Sequence, residues 1–125
     1  MPVLRIVTIA IFGLSALGGH LAHAQDAAAG KRVFQADCSI CHSVQPGRNL
    51  TGPSLYGVVN RHSGQAPGFH YSEANRRSGL TWTAGTLDRY LTAPRQVVPG
   101  TLMTFPGLRD SKQRADVIAY LTSVH

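Results

Sequence analysis

QADCSICHSVQ, residues 35–45, holds both cysteines of the chain, Cys38 and Cys41, and sets His42 directly behind them. Three soft ligands in five residues could hold a metal, run thiol chemistry or anchor a cofactor. The rest of the sequence discriminates among these readings.

The chain has 125 residues, enough for one domain. Arg5 precedes an apolar run, Ile6 to Leu17, and Ala22 and Ala24 then form a small-x-small cleavage site. Residues 1–24 are expected to be a secretory signal peptide cut after Ala24. The alternative is an uncleaved membrane anchor, but the run is shorter than the ~20 residues a spanning helix needs. The domain is then 25–125. A domain of that size buries a modest core and commonly leans on a staple, a metal or a cofactor. A disulfide between Cys38 and Cys41 would close only a tiny loop and restrain little. Losing Arg5 lowers the net charge from +6 to +5. No Lys/Arg run exceeds two residues, so the charge reads as a basic surface or a dock for an acidic protein, not as a nucleic-acid site.

Asp26 is placed to cap a first helix through AAAGKRVFQADC, with Ala27, Gly30, Val33 and Phe34 on one face. Gly30 costs roughly 1 kcal/mol there relative to Ala, so it is either a tolerated surface residue or the mark of a close backbone approach. From Ser43 to Gly68 the turn signals QPGRN, TGPS and GQAPG predict a long irregular loop, which a compact domain tolerates when the loop wraps something. Ser72 is expected to start a short helix that stops at Gly79. Thr83 starts another, carrying Leu87, Tyr90 and Leu91, which ends before Pro94. RQVVPGTLMTFPGL reads as extended and turn-rich. Asp110 and Gln113 suggest a capping box for a last helix with an apolar stripe of Val117, Tyr120, Leu121 and Val124. The fold class is all-α with long loops.

Structural zinc needs four protein ligands, usually from two knuckles; there is one here, and neither His62 nor His70 has a ligand neighbour at knuckle spacing. Thioredoxin-like chemistry places C-x-x-C near a βαβ unit, and no such alternation is present. An idle thiol pair is out of place in an oxidising compartment. Covalent haem c fits: two thiols three residues apart add to the two vinyl groups of one haem, and His42 becomes the proximal ligand. The second axial position is then open to His62, His70, His125 or Met103. Met103 lies in a turn-rich stretch with no helical periodicity to assign it to a core face.

With the haem reading in hand, GKRVFQADCSICHSV, TGPSLYGVVNRHSGQAPGFHYSEANRRSGLTW, TLDRYLTAPRQVVPGTLMTFPGL and RADVIAYL together resemble class I cytochrome c, of the mitochondrial and bacterial cytochrome c2 type. The resemblance spans essentially all of residues 25–125. It implies a small cytochrome c fold, with N- and C-terminal helices crossing and short middle helices and long loops wrapping one haem. It implies thioethers at Cys38 and Cys41 and axial ligands His42 and Met103. Pro53 matches the residue whose carbonyl accepts from the His42 ring. Arg61, Tyr71 and Trp82 match donors to a haem propionate. Asn75, Tyr90 and Thr101 match a polar set around a buried water near the Met ligand, and Phe105 the aromatic closing the haem edge. Gly30, Phe34, Val117, Tyr120 and Leu121 match the helix crossing.

The function implied is a periplasmic monohaem carrier of single electrons, not an enzyme. Redox protein donors and acceptors such as a cytochrome bc1 complex, a terminal oxidase, a reaction centre or a dehydrogenase would be its partners. Neither nucleic acid nor stable membrane insertion is expected, and the chain is expected to be a monomer. The alternatives are a haem c subunit of a larger oxidoreductase and a haem enzyme or sensor with weak Met ligation. One feature departs from the family. A ring of lysines usually meets acidic partners, yet only Lys31 and Lys112 are present. Asp37 and Leu102 stand where lysine is expected, while Arg95 keeps a charge and Arg32 and Arg109 compensate in part. Docking is therefore expected to be more apolar around Leu102, with a weaker salt dependence.

Overall fold

A computed structural model describes residues 25–125; the expected leader, 1–24, lies outside them. The described chain is helical, with a single isolated β-bridge, between His62 and Thr81. Its helices are α1 (Ala27–Val33), α2 (Glu73–Arg77), α3 (Ala84–Thr92), α4 (Pro94–Val97) and α5 (Ser111–Ser123), with a π-helical turn, Phe34–Cys38, continuing α1.

The helix starts follow the sequence signals. Asp26 caps α1 through the N–H groups of Ala28 and Ala29, Ser72 caps α2 through Asn75, and Thr83 caps α3 through Thr86. Asp110 caps α5 by accepting from Lys112 and Gln113. The reciprocal half of the expected capping box is missing, because the Gln113 side chain donates nothing back. Three other expectations are corrected. The first helix is not α-helical through Cys38: its last turn widens so that Ser39 N–H reaches Phe34 O at 2.9 Å, a π-turn of the kind found at functional sites. Pro94 opens a short helix instead of extended chain, since its fixed φ suits the first helical position. The α5 stripe ends before Val124, which caps the helix from outside.

α1 and α5 cross at Gly30. A Cβ there would overlap the Asp116 carbonyl and lie 2.9 Å from Tyr120 Cβ, so the backbones touch and only glycine fits. Phe34 and Tyr120 pack beside it at 5.6 Å between ring centroids, tilted 55°. Val117, Ile118 and Leu121 fill the centre with Leu87, Tyr90, Trp82, Val98 and Leu108. The crossing is also tied by polar groups. Asp116, 4% exposed, accepts from the Asp26 backbone N–H at 3.0 Å and from Lys112 Nζ at 2.7 Å. These donors hold its carboxyl below the usual carboxylate range. Arg114 joins α5 to α3 through Asp88 at 2.8 Å and donates to the carbonyls of Leu108 and Arg109.

The 43–68 segment has no helix or strand, as expected. Asn49 clasps it: its amide N–H donates to Pro67 O at 2.9 Å and its oxygen accepts from Ser54 N at 2.9 Å.

Candidate functional site

The π-turn carries Cys38 out of the first helix, and the next turn closes with Cys41 N–H and His42 N–H both donating to Cys38 O, at 3.1 and 2.9 Å. The two cysteines and His42 thus occupy one compact turn. Both thiols are free and half-buried. Burial, with Asp37 and Cys41 adding, pushes the Cys38 thiol up to about 11. A redox-active thiol needs a lowered pKa, so the environment opposes thioredoxin-like chemistry. Among the described residues no three His, Cys, Asp or Glu side chains gather to hold a metal ion.

His42 is fixed on two sides. Its ring lies against Gly52 so closely that any Cβ at that position would collide with it. Gly52 is held there by its N–H to Cys41 O at 2.8 Å. The His42 Nδ1–H donates to Pro53 O at 2.8 Å, since a carbonyl can only accept. Burial depresses the His42 pKa, with the Pro53 bond opposing in part. The result is a neutral imidazole with Nε2 as its available lone pair, the state a metal ligand requires.

Met103 sits in the loop after α4. Its backbone N–H donates to Thr101 Oγ1 at 3.2 Å, and the Tyr90 hydroxyl approaches its sulfur at 3.8 Å. Burial raises the Tyr90 pKa, with Thr101 partly offsetting. Tyr90 stacks on Trp82 at 4.7 Å, and Met103 and Phe105 border the core. The other imidazoles are engaged elsewhere: His62 Nδ1 meets Thr81 Oγ1 at 3.0 Å and His125 Nδ1 meets Thr122 O at 3.0 Å, while His70 is exposed.

The polar set has capacity to spare. Arg61 donates to Tyr56 O and Ser54 O, at 2.9 and 3.2 Å, which leaves part of its five-donor guanidinium free. The Tyr71 oxygen accepts from Ala66 N–H at 2.9 Å, leaving its own proton to donate. The Trp82 ring is largely buried, and its indole N–H can only donate. Asn75 Oδ1 is buried without a hydrogen bond, alone in this among the described side chains, although the Asn75 backbone is held by Ser63, Ser72 and Ser78.

The family model of cytochrome c matches residues 27–125. The chain belongs to the cytochrome c family. It is 52% identical over 99 residues to cytochrome c2 of Rhodopila globiformis, covering 79% of this chain and 93% of the relative. Cytochrome c2 of Rhodomicrobium vannielii is 44% identical over 124 residues, 98% of each chain. The solved structure of cytochrome cH from Methylobacterium extorquens superposes with a TM-score of 0.75 at 45% identity, covering 78% of this chain and 98% of that one. The small all-α cytochrome c fold follows, as does the cofactor: one covalently attached haem c with its iron, in a protein of electron transfer.

The residues present fit that group. Two free thiols and a neutral imidazole share one turn, Arg61, Tyr71 and Trp82 carry donors suited to its carboxylates, and the orphaned Asn75 Oδ1 marks polar space beside the core. Sequence reasoning passed over Gly52 as a turn residue. The signal was its place directly before Pro53 in TGPS, where the ring of His42 must pass.

Proposed function

We propose that this cytochrome is an exported, periplasmic carrier that passes single electrons between larger redox proteins, with His42 and Met103 as the axial ligands of its iron. The reading is carried by the commitment of His42 Nδ1 to Pro53 O at 2.8 Å, which leaves Nε2 of a neutral imidazole as the ligating atom. Tyr90 supports the Met103 sulfur at 3.8 Å. When bound, haem c supplies one-electron cycling between ferric and ferrous iron, and a thioether ligand favours the reduced state.

This chain's own part is positional. Cys38 and Cys41 anchor the group, Pro53 orients the imidazole, and Arg61, Tyr71 and Trp82 donate to buried carboxylates that would be costly unpaired. Asn75, Tyr90 and Thr101 shape the polar space near the sulfur, and Phe105 shields the edge. With His42 and Met103 both holding the iron, the group would offer no open position to a substrate, which favours a carrier over an enzyme. Export rests on the leader reading of residues 1–24. No described helix is long and apolar enough to cross a membrane. Its partners are redox proteins of the bc1, oxidase, reaction-centre or dehydrogenase kind.

The test is a redox titration of the purified holoprotein followed by its absorption spectrum. A low-spin ferric form with the weak far-red band of thioether ligation is expected, as is loss of that band in Met103→Ala with a fall in potential. A high-spin ferric form lacking the band would overturn the ligand assignment. Intact mass and cell fractionation test cleavage after Ala24 and periplasmic residence.

A further inference from the structure

Among the described residues, two large apolar side chains stand far out of the surface: Ile40, 84% exposed, and Leu102, 76% exposed. The other exposed large apolar residues, Leu50 and Tyr56, are about half as open, at 42% and 36%. A domain with a filled core has no internal use for such side chains, and exposed apolar side chains beside a functional site mark it for contact.

Their positions are informative. Ile40 lies between Cys38 and Cys41, two residues before His42, and Leu102 immediately precedes Met103. They stand 62 positions apart in sequence, yet each lies within two residues of one of the two ligands assigned to a single iron. On that assignment both lie beside the same cofactor, from which an electron must leave.

The charge pattern says what kind of face this is. The stretches 37–42 and 101–105 contain one acidic side chain, Asp37, and no Lys or Arg, although the chain as a whole is basic. Several cations are engaged elsewhere. Lys112 pairs with Asp116, Arg114 with Asp88, and Arg76 and Arg77 with Glu73. Within these two stretches an acidic partner would find no Lys or Arg to hold, the cations being limited to ones more distant in sequence such as Arg32, Arg95 and Arg109, whereas an apolar partner would find two side chains to bury.

We infer that the electron-transfer face is an apolar contact centred on Ile40 and Leu102, built for a redox partner that presents an apolar, uncharged patch. This rests on His42 and Met103 being the axial ligands. Burial of the two side chains holds the encounter complex, and the basic residues elsewhere contribute non-specific attraction only. Salt should then change the transfer rate little.

The test uses the holoprotein adsorbed on gold electrodes bearing two probe surfaces: a methyl-terminated monolayer as the apolar partner and a carboxylate-terminated one as the acidic partner. The readout is the electron-transfer rate constant by voltammetry, not the amount adsorbed. The wild type is expected to exchange electrons faster on the methyl surface, changing less than about threefold from low to physiological salt. Ile40→Gln and Leu102→Gln are each expected to slow exchange on the methyl surface by about tenfold. Their far-red band and potential should stay those of the wild type.

Faster exchange on the carboxylate surface, collapsing with salt, would overturn the inference. So would unchanged rates in both variants. Absence of the far-red band from the wild type would instead overturn the ligand assignment beneath it.

Discussion

Replacing Gly30 by alanine sets two effects against each other. Alanine raises helix propensity, a gain of about 1 kcal/mol. Against that, the new methyl would overlap the Asp116 carbonyl and meet Tyr120 Cβ at 2.9 Å. Neither atom can rotate away, since one is backbone and the other is fixed to it, so α1 and α5 must part. Overpacking of this severity costs about 3 kcal/mol, and loosening the Phe34–Tyr120 pair costs about 1 kcal/mol more. The net loss is about 3 kcal/mol, a large share of the 5–15 kcal/mol that typically holds a domain. Guanidinium unfolding of the holoprotein reads it directly. With a slope of about 3 kcal/mol per molar, the midpoint should fall by about 1 M. Gly85, in the first turn of α3, has nothing within 4 Å of its Cβ position. Gly85→Ala should therefore gain about 0.5 kcal/mol and raise the midpoint. If Gly30→Ala were as stable as wild type, backbone contact would not be what brings α1 and α5 together.

Further outcomes follow from other contacts. The Asp116 carboxyl is held below its ordinary pKa by Lys112 and the Asp26 N–H, so the native state binds this proton less readily than the unfolded chain. Its contribution is complete above the ordinary carboxylate value and is lost as pH falls below about 4 through the native one. Asp116→Asn should therefore lower the urea midpoint at pH 7, and the gap to wild type should close in acid. Asn49→Ala removes both ends of the loop clasp. It should cost about 2 kcal/mol and speed amide exchange across 43–68 while sparing α5. Tyr90→Phe removes the hydroxyl beside the Met103 sulfur, leaving the thioether a stronger donor to ferric iron. The reduction potential should fall with the far-red band retained, as a spectroelectrochemical titration would show.

Much of this was legible in the sequence because the signals were local. Caps at Asp26, Ser72, Thr83 and Asp110 act within one helical turn and lie where the residues said. Cys38, Cys41 and His42 likewise form a local constellation. What escaped depended on distant neighbours. The Asp116 bond to Asp26 joins groups 90 residues apart, and no periodicity reports that a carboxylate on an apolar helix face will be satisfied from the other end of the chain. The π-turn at Phe34–Cys38 differs from a continued α-helix by one residue per turn, which propensity does not resolve. Gly52 showed itself as a turn former, while its use against the His42 ring required the ring's position. Ile40 was hidden inside a motif whose other residues had claimed the attention.

The bond between Asp26 and Asp116 also sets an order of events in the life of the chain. A segment that begins the domain is completed by a partner made almost last. A growing or translocating chain therefore cannot close α1 against α5, however well each helix is capped on its own. Through that interval the Cys38–His42 turn lacks its finished surroundings. Contacts this far apart in sequence form slowly, so both thiols are made well before the crossing can close. Once the last helix arrives, the Gly30 crossing shuts over the first. Sequence separation here makes closure of the two helices a late event in the making of the chain.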